Sequence, residues 1–183
     1  MEYFILSQKQ NIPNTIKLNL KTDNGYERRQ MIEKQYADDV NDVSIVYTKD
    51  KKMSFYADVI DTPTFLISEK VKEVFVNYDD SIIVKCVILS GENSDTKKVY
   101  WMPLMDCIDC MSPETEFYKD GSLKKLVLDK AKIEGKKIFR VANLKEYPVI
   151  INLDMAESLL RRFLSGIEMT KVKVNEIVKR EKV

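Results

Sequence analysis

Histidine is absent from all 183 residues. That absence removes Ser-His-Asp and Cys-His relays and every histidine-ligated metal site. Glycine is scarce, with five residues scattered singly, so there is no glycine-rich loop to cradle a phosphate. Three cysteines, an odd number, do not make a disulfide framework, and a reducing cytoplasm is the expected compartment. No apolar run approaches the length needed to span a bilayer. The start, Met1 to Leu6, has neither a basic region nor an extended apolar stretch, so no secretory signal is expected. Charge of one sign is lacking too: 30 Lys and Arg against 29 Asp and Glu leave a net charge of +1. Neither a nucleic-acid field nor an attractor for acidic substrates follows from that balance.

What is present is ordinary for a folded protein: 44% hydrophobic and 32% charged residues. The length suffices for a sizeable core. The expectation is one α+β domain over residues 1–183, with residues 1–60 as a candidate N-terminal lobe and residues 175–183 as a frayed tail. Short apolar runs at 3–6, 43–47, 55–60, 82–89, 99–104, 123–128, 138–141 and 149–153 read as strands. The runs at 43–47 and 55–60 flank a polar tip and read as a hairpin, and Pro103 is expected to end the run at 99–104. The run at 82–89 is apolar on both faces apart from Lys85, the pattern of a central strand. Residues 8–24 read as a loop and 26–36 as weakly helical. So many strands and so few helices exclude a doubly wound parallel sheet. A mostly antiparallel sheet with at least two short amphipathic helices is expected.

The helices are placed at residues 68–78 and 154–164. Ser68 caps the first, and its apolar face is Val71, Val74, Phe75 and Tyr78. In the second, Asp154 and Glu157 have the spacing of a capping box, and Ala156, Leu159, Leu160 and Phe163 share a face. Arg161 and Arg162 fall in its last turn, where cations complement the helix dipole, and Gly166 supplies a left-handed stop. Beyond it the apolar phase slips between Met169 and Val172, which predicts a bulge or a change of partner strand. The two helical faces recur 85 positions apart, each after a Pro-led apolar run and before an apolar strand. Two strand–helix–strand units would explain this, and so would any pair of amphipathic helices that precede strands.

Cys107 and Cys110 form a Cys-x-x-Cys, a spacing that suits a zinc knuckle or a redox pair. Only Cys86 remains as a further sulfur ligand, so the plainer reading is two small, partly buried hydrophobes. Asp106 and Asp109 flank the thiols without the glycine-containing loop of a calcium site. Trp101 alternates with Tyr100 and Met102 along a strand, as a core residue would; exposed, it would mark an interface. The basic C-terminal segment (Lys171, Lys173, Lys179, Arg180, Lys182) is interrupted by Glu176 and Glu181 and has no stacking aromatics, so nucleic-acid binding is not expected.

Several blocks taken in order carry a resemblance: VYWMPLMDCIDC at 99–110, LVLDKAKI at 126–133, IFRV at 138–141 and LDMAESLLRRFLSGI at 153–167, with YFILS at 3–7. Together they resemble a bacterial family, long described as a domain of unknown function, that is grouped with the immunity proteins of polymorphic toxin systems. The resemblance covers mainly residues 70–174. It implies a cytoplasmic, non-enzymatic protein without a cofactor that binds and occludes a co-encoded toxin. Against a basic nuclease, Asp106 and Asp109 would be contacts by charge complementarity; Arg161 and Arg162 are the alternative. Two other readings stand beside it: a thiol-dependent redox or metal protein using Cys107 and Cys110, and a scaffold or regulatory domain.

Overall fold

A computed structural model of the chain describes residues 1–19, 32–49, 53–92 and 95–175. In chain order the strands are β1 (Tyr3–Gln8), β2 (Lys17–Asn19), β3 (Val43–Lys49), β4 (Val59–Ile60), β5 (Leu66–Ile67), β6 (Ile83–Gly91), β7 (Lys97–Leu104), β8 (Cys107–Ile108), β9 (Glu116–Phe117), β10 (Leu123–Lys125), β11 (Val127–Asp129), β12 (Ile138–Val141), β13 (Val149–Asn152) and β14 (Ile167–Asn175). Helix α1 spans Glu69–Tyr78 and α2 spans Leu153–Leu160, with short 3-10 turns at Lys34–Asp39 and Lys130–Lys132. The fold is mostly sheet with few helices. A first six-stranded sheet has the order β11-β14-β1-β13-β12-β8, and a second the order β2-β3-β6-β7-β5-β4; β9 and β10 pair by themselves.

Most strand pairs are antiparallel, as expected, but both sheets are mixed. β3 with β6, β11 with β14, and β12 with β8 run parallel. Parallel neighbours need crossover connections, and the helices and long loops of this chain supply them. The expected hairpin is likewise absent. β3 pairs with β2 and β6, while β4 pairs with β5. Phe55 makes only an isolated bridge to Thr15, because the inner residues of β3 join the core formed by Val87 and Leu89 of β6. Pro103 does not end β7. It lies opposite Val84, and β5 pairs with β7 only at Trp101, so the missing amide falls on an open flank. The run at 123–128 is two strands: β10 joins β9, and β11 joins β14. The strand at 82–89 is central as expected, with β3 and β7 on either side. Most of the helical expectation at 26–36 lies outside the described residues.

Two strand–helix–strand units organise the molecule. In one, β5-α1-β6 places two parallel strands on either side of antiparallel β7; in the other, β13-α2-β14 does the same around β1. The outer partners match as well: β3 runs parallel to β6 and β11 to β14, while β4 is antiparallel to β5 and β12 to β13. The central strand follows its unit in the first case and comes from the N-terminal end in the second. The helix caps Ser68 and Asn152 are 84 positions apart, not 85. The burial pattern fits that shift, since Val71 and Phe75 correspond to Met155 and Leu159, all fully buried.

Helix α1 forms as its spacing predicts. Val71, Val74 and Phe75 are buried, and Lys72 pairs with Glu69 one turn back. It stops at Asp79, whose carboxylate accepts from the Ser81 amide at 3.0 Å. In α2 the cap is Asn152, whose side chain accepts from the Met155 amide at 3.0 Å; the expected Asp154 box is not used because the cap falls two residues earlier. Arg161 and Arg162 lie beyond its last turn, and Leu160 and Phe163 are 66% and 93% exposed. The buried face is Met155, Ala156 and Leu159, each large side chain contributing about 1.5–3 kcal/mol of burial. Tyr78 ties the helices together, donating to the Asp154 carbonyl at 2.8 Å and lying 2.7 Å from Ser158 Oγ.

The phase slip in β14 is a change of partner and of core, not a bulge. It pairs with β1 through Val172 and with β11 from Lys173. Ile167 and Met169 face the core shared by both helices, whereas Val172 and Val174 face the core on the other side of the sheet. The turn before β14 is fastened by Asp58. Its Oδ2 accepts from the Ser165 amide at 2.6 Å and the Ser165 hydroxyl at 3.1 Å, while Oδ1 accepts from the Ser68 hydroxyl at 2.6 Å.

Candidate protein-docking face

Strand β3 alternates Val43, Ile45 and Tyr47 on one face with Val46 and Thr48 on the other. Val46 and Thr48 point inward, to a core closed by Ile16, Ala37 and Val40. Register carries the outer face across the sheet: Val43, Ile45 and Tyr47 lie beside Cys86, Ile88 and Ser90 of β6, which lie beside Trp101, Val99 and Lys97 of β7. Helix α1 covers this face only at its β5 and β7 side, where Ile67, Val84 and Trp101 pack against Val71, Val74 and Phe75. Among the described residues, the sheet is open beyond the helix. Val43, Ile45, Tyr47 and Val99 are 56%, 60%, 54% and 54% exposed. Ile88 of β6 lies between Ile45 and Val99, so the four side chains and Ile88 line one apolar patch, the kind of surface that marks an interaction site.

The matching position in the other unit shows that the fold does not require apolar residues there. In the first sheet, Lys171 and Lys173 of β14 occupy the places of Cys86 and Ile88. They are held by ion pairs with Glu2 and with Glu114, the latter at 3.0 Å. On β14 these positions thus carry paired charges, and beside them β11 places buried Val127 where β3 places exposed Ile45.

The residues singled out from sequence do not converge. Trp101 sits at the margin of the patch, half-buried. Its Nε1 donates to Glu69 at 2.5 Å and Lys72 stands 4.0 Å over its ring, so it borders the open face and supports it. Asp106 and Asp109 are exposed near the edge of the first sheet, and Asp106 pairs with Lys136 at 3.1 Å. The shallow depression there also takes in Glu33, Lys34 and Lys132, a mixture of signs and not an acidic cluster. Arg161 is exposed beside Glu157 at 3.5 Å, and Arg162 donates to the Ser158 carbonyl at 2.8 Å. The patch residues Val43, Ile45, Tyr47, Ile88 and Val99 escaped sequence reasoning, because apolar residues of both phases in β3 and β6 look like strands covered on both faces.

Cys107 and Cys110 are free thiols, the first half-buried on β8 and the second buried among Tyr3, Leu128 and Phe139. Burial pushes Cys107 up to about 11 and Cys110 up to about 12. Neither is a ready thiolate near neutrality. Among the described residues no group of three or more Cys, Asp or Glu is placed to hold a metal. The sign of the pH dependence follows. A thiol raised above its unfolded value of about 8.5 keeps its stabilising effect below that pH and loses it as the pH climbs through the folded value. Native protein at pH 7 is therefore expected to react slowly with a thiol reagent at both positions. Unfolding midpoints should hold up to about pH 8.5 and fall above it, towards the folded values of about 11 and 12. Labelling of both thiols in native protein within seconds at pH 7 would contradict this.

No curated protein matches the sequence. A family model does match, over residues 6–174, which takes in both strand–helix–strand units and all but the first three residues of β1. The chain belongs to the Immunity protein family (Imm11).

Proposed function

We propose that this protein neutralises a cognate bacterial toxin of a polymorphic toxin system, in the cytoplasm, by docking on it and covering its active cleft. The docking surface is the open face of the second sheet, centred on Ile45 and Val99. Family membership supports a toxin partner. The observation that carries the site is the exposed apolar patch of Val43, Ile45, Tyr47 and Val99, beside Ile88 at a position where β14 carries the paired Lys173. A soluble domain that leaves such a face open gains stability when a partner covers it, by about 25 cal/mol for each Å² of apolar surface removed from water.

The test is co-expression. The toxin encoded beside this gene is induced in a sensitive host with or without this protein, and binding of the purified pair is measured by calorimetry. Rescue of growth with 1:1 binding is expected; normal growth arrest despite soluble protein would overturn the reading.

One observation favours a second docking site. Leu160 and Phe163 project at the end of α2 next to Arg161 and Arg162. Phe163 there adopts φ +50°, a conformation uncommon for a bulky residue. The Asp106 and Asp109 contact has less support, since Asp106 is already engaged by Lys136. Reversing both to Lys is expected to change toxin affinity by less than about threefold, within the range of rim charges. A tenfold loss in the calorimetric titration would restore the acidic contact.

A further inference from the structure

The charges around the open face carry information about what it receives. Lys17 of β2 lies opposite Lys49 of β3, and alternation puts both on the face of Tyr47. Lys97 of β7 lies opposite Ser90 and shares the face of Val99. All three cluster at one end of the patch, are exposed, and have no ion-pair partner among the described residues. The turn between β6 and β7 adds Glu92, engaged in another contact, and exposed Asp95. Four other strand lysines are matched with carboxylates: Lys124 with Glu116, Lys171 with Glu2, Lys173 with Glu114 and Lys85 with Asp42. On this face a lysine cluster stands beside an apolar centre.

We propose that the surface received here is an apolar patch flanked by carboxylates on the toxin, with Lys17, Lys49 and Lys97 steering it into register. This rests on the immunity reading and specifies its partner: an acidic docking surface, opposite in sign to the basic nuclease surface that Asp106 and Asp109 would suit. Unpaired charges at the rim act mainly on the rate of encounter, by attraction screened within a Debye length of about 8 Å at physiological salt. The apolar centre acts mainly on the rate of departure.

The experiment is stopped-flow association of the full chain with the toxin encoded beside its gene. It compares wild type, the triple variant Lys17→Glu, Lys49→Glu, Lys97→Glu, and the neutral set Lys17→Gln, Lys49→Gln, Lys97→Gln. The glutamate set is expected to slow association at least about tenfold at low salt, the glutamine set by less, and dissociation to change by under about threefold. Wild-type association should slow as salt rises from about 50 to 500 mM, and the glutamine set should respond less. Since all three positions are exposed, circular dichroism should be unchanged; the glutamine set reads the effect independently if the reversed set misfolds. Unaltered or faster association of both variant sets would overturn the proposal while leaving the immunity reading intact. No binding by wild type would overturn the immunity reading itself. Sedimentation of the chain alone as a dimer that Ile45→Glu dissolves would make a second copy the occupant and overturn the acidic partner.

Discussion

Ile45→Glu combined with Val99→Glu is expected to weaken toxin binding by at least about 100-fold, equivalent to about 2.7 kcal/mol, with no loss of thermal stability. Both side chains are more than half exposed on the face that α1 leaves open, and neither belongs to the three buried clusters of the molecule. A charge placed there stays in water in the free protein and costs little. Against an apolar partner surface the same charge must be buried without a counter-ion, and the centre of an interface is where such changes cost most. The two strands are joined through Ile88, which pairs with both positions, so the two substitutions strike one patch and their effects are not expected to add. Calorimetry of the variant with toxin, beside a thermal melt of the variant alone, separates binding from folding. Full affinity in the double variant would remove this face from consideration.

Gly166→Ala is expected to destabilise the fold by about 3 kcal/mol or more, lowering the melting temperature by about 6–12 °C in a chain of this size. Gly166 has φ +69°, and an added Cβ would lie 2.6 Å from Ala57 Cβ and 3.1 Å from Ala57 Cα. The left-handed backbone alone costs about 1 kcal/mol with a side chain. The neighbours that must yield include backbone, which cannot swing aside as a long side chain would. The strain would fall on the seam that Asp58 closes between the second sheet and the turn into β14, where its carboxylate takes three hydrogen bonds from Ser165 and Ser68. Asp58→Ala removes these bonds, but water can reach the exposed Ser165 donors, so the change should cost about 1–2 kcal/mol. Gly121 is the control: its φ is +79° but an added Cβ meets nothing within 4 Å, so Gly121→Ala should cost only about 1 kcal/mol. Equal effects at Gly121 and Gly166 in chemical denaturation would show that the close approach to Ala57 contributes nothing.

How much of this was legible in the chain depends on whether the deciding contact is local. Helix α1 was, because Val71, Val74 and Phe75 are set by 3.6-residue spacing; Ser68 holds the cap position, but its hydroxyl donates to Asp58 and not to the helix. The central position of β6 was legible from its two-sided apolarity. The pairing of β3 was not: a polar tip next to a second apolar run reads as a hairpin, but β6, about forty residues on, offers Val87 and Leu89 to the inner face of β3. The repeat was visible in outline and wrong by one position in the helix, since only burial distinguishes Met155 from Ala156 as the counterpart of Val71. Leu160 and Phe163 fit the helical stripe by spacing, yet the helix ends at Leu160 and the chain turns away. The candidate site was the least legible feature. A strand reading V-S-I-V-Y does not say which of its faces a distant helix will cover, and α1 stops at the β7 margin beside Trp101. Of the seven residues first considered, Trp101 alone borders the patch.

The central claim is that the open face of the second sheet is where the toxin docks. Hydrogen–deuterium exchange of the protein with and without the toxin encoded beside its gene tests it most directly. The account predicts new protection in segments 43–49, 86–90 and 97–101, with segments 105–110 and 158–164 unchanged. Protection confined to 158–164 would place the partner on the end of α2, and protection confined to 105–110 on the acidic edge; either result would contradict the assignment of this face.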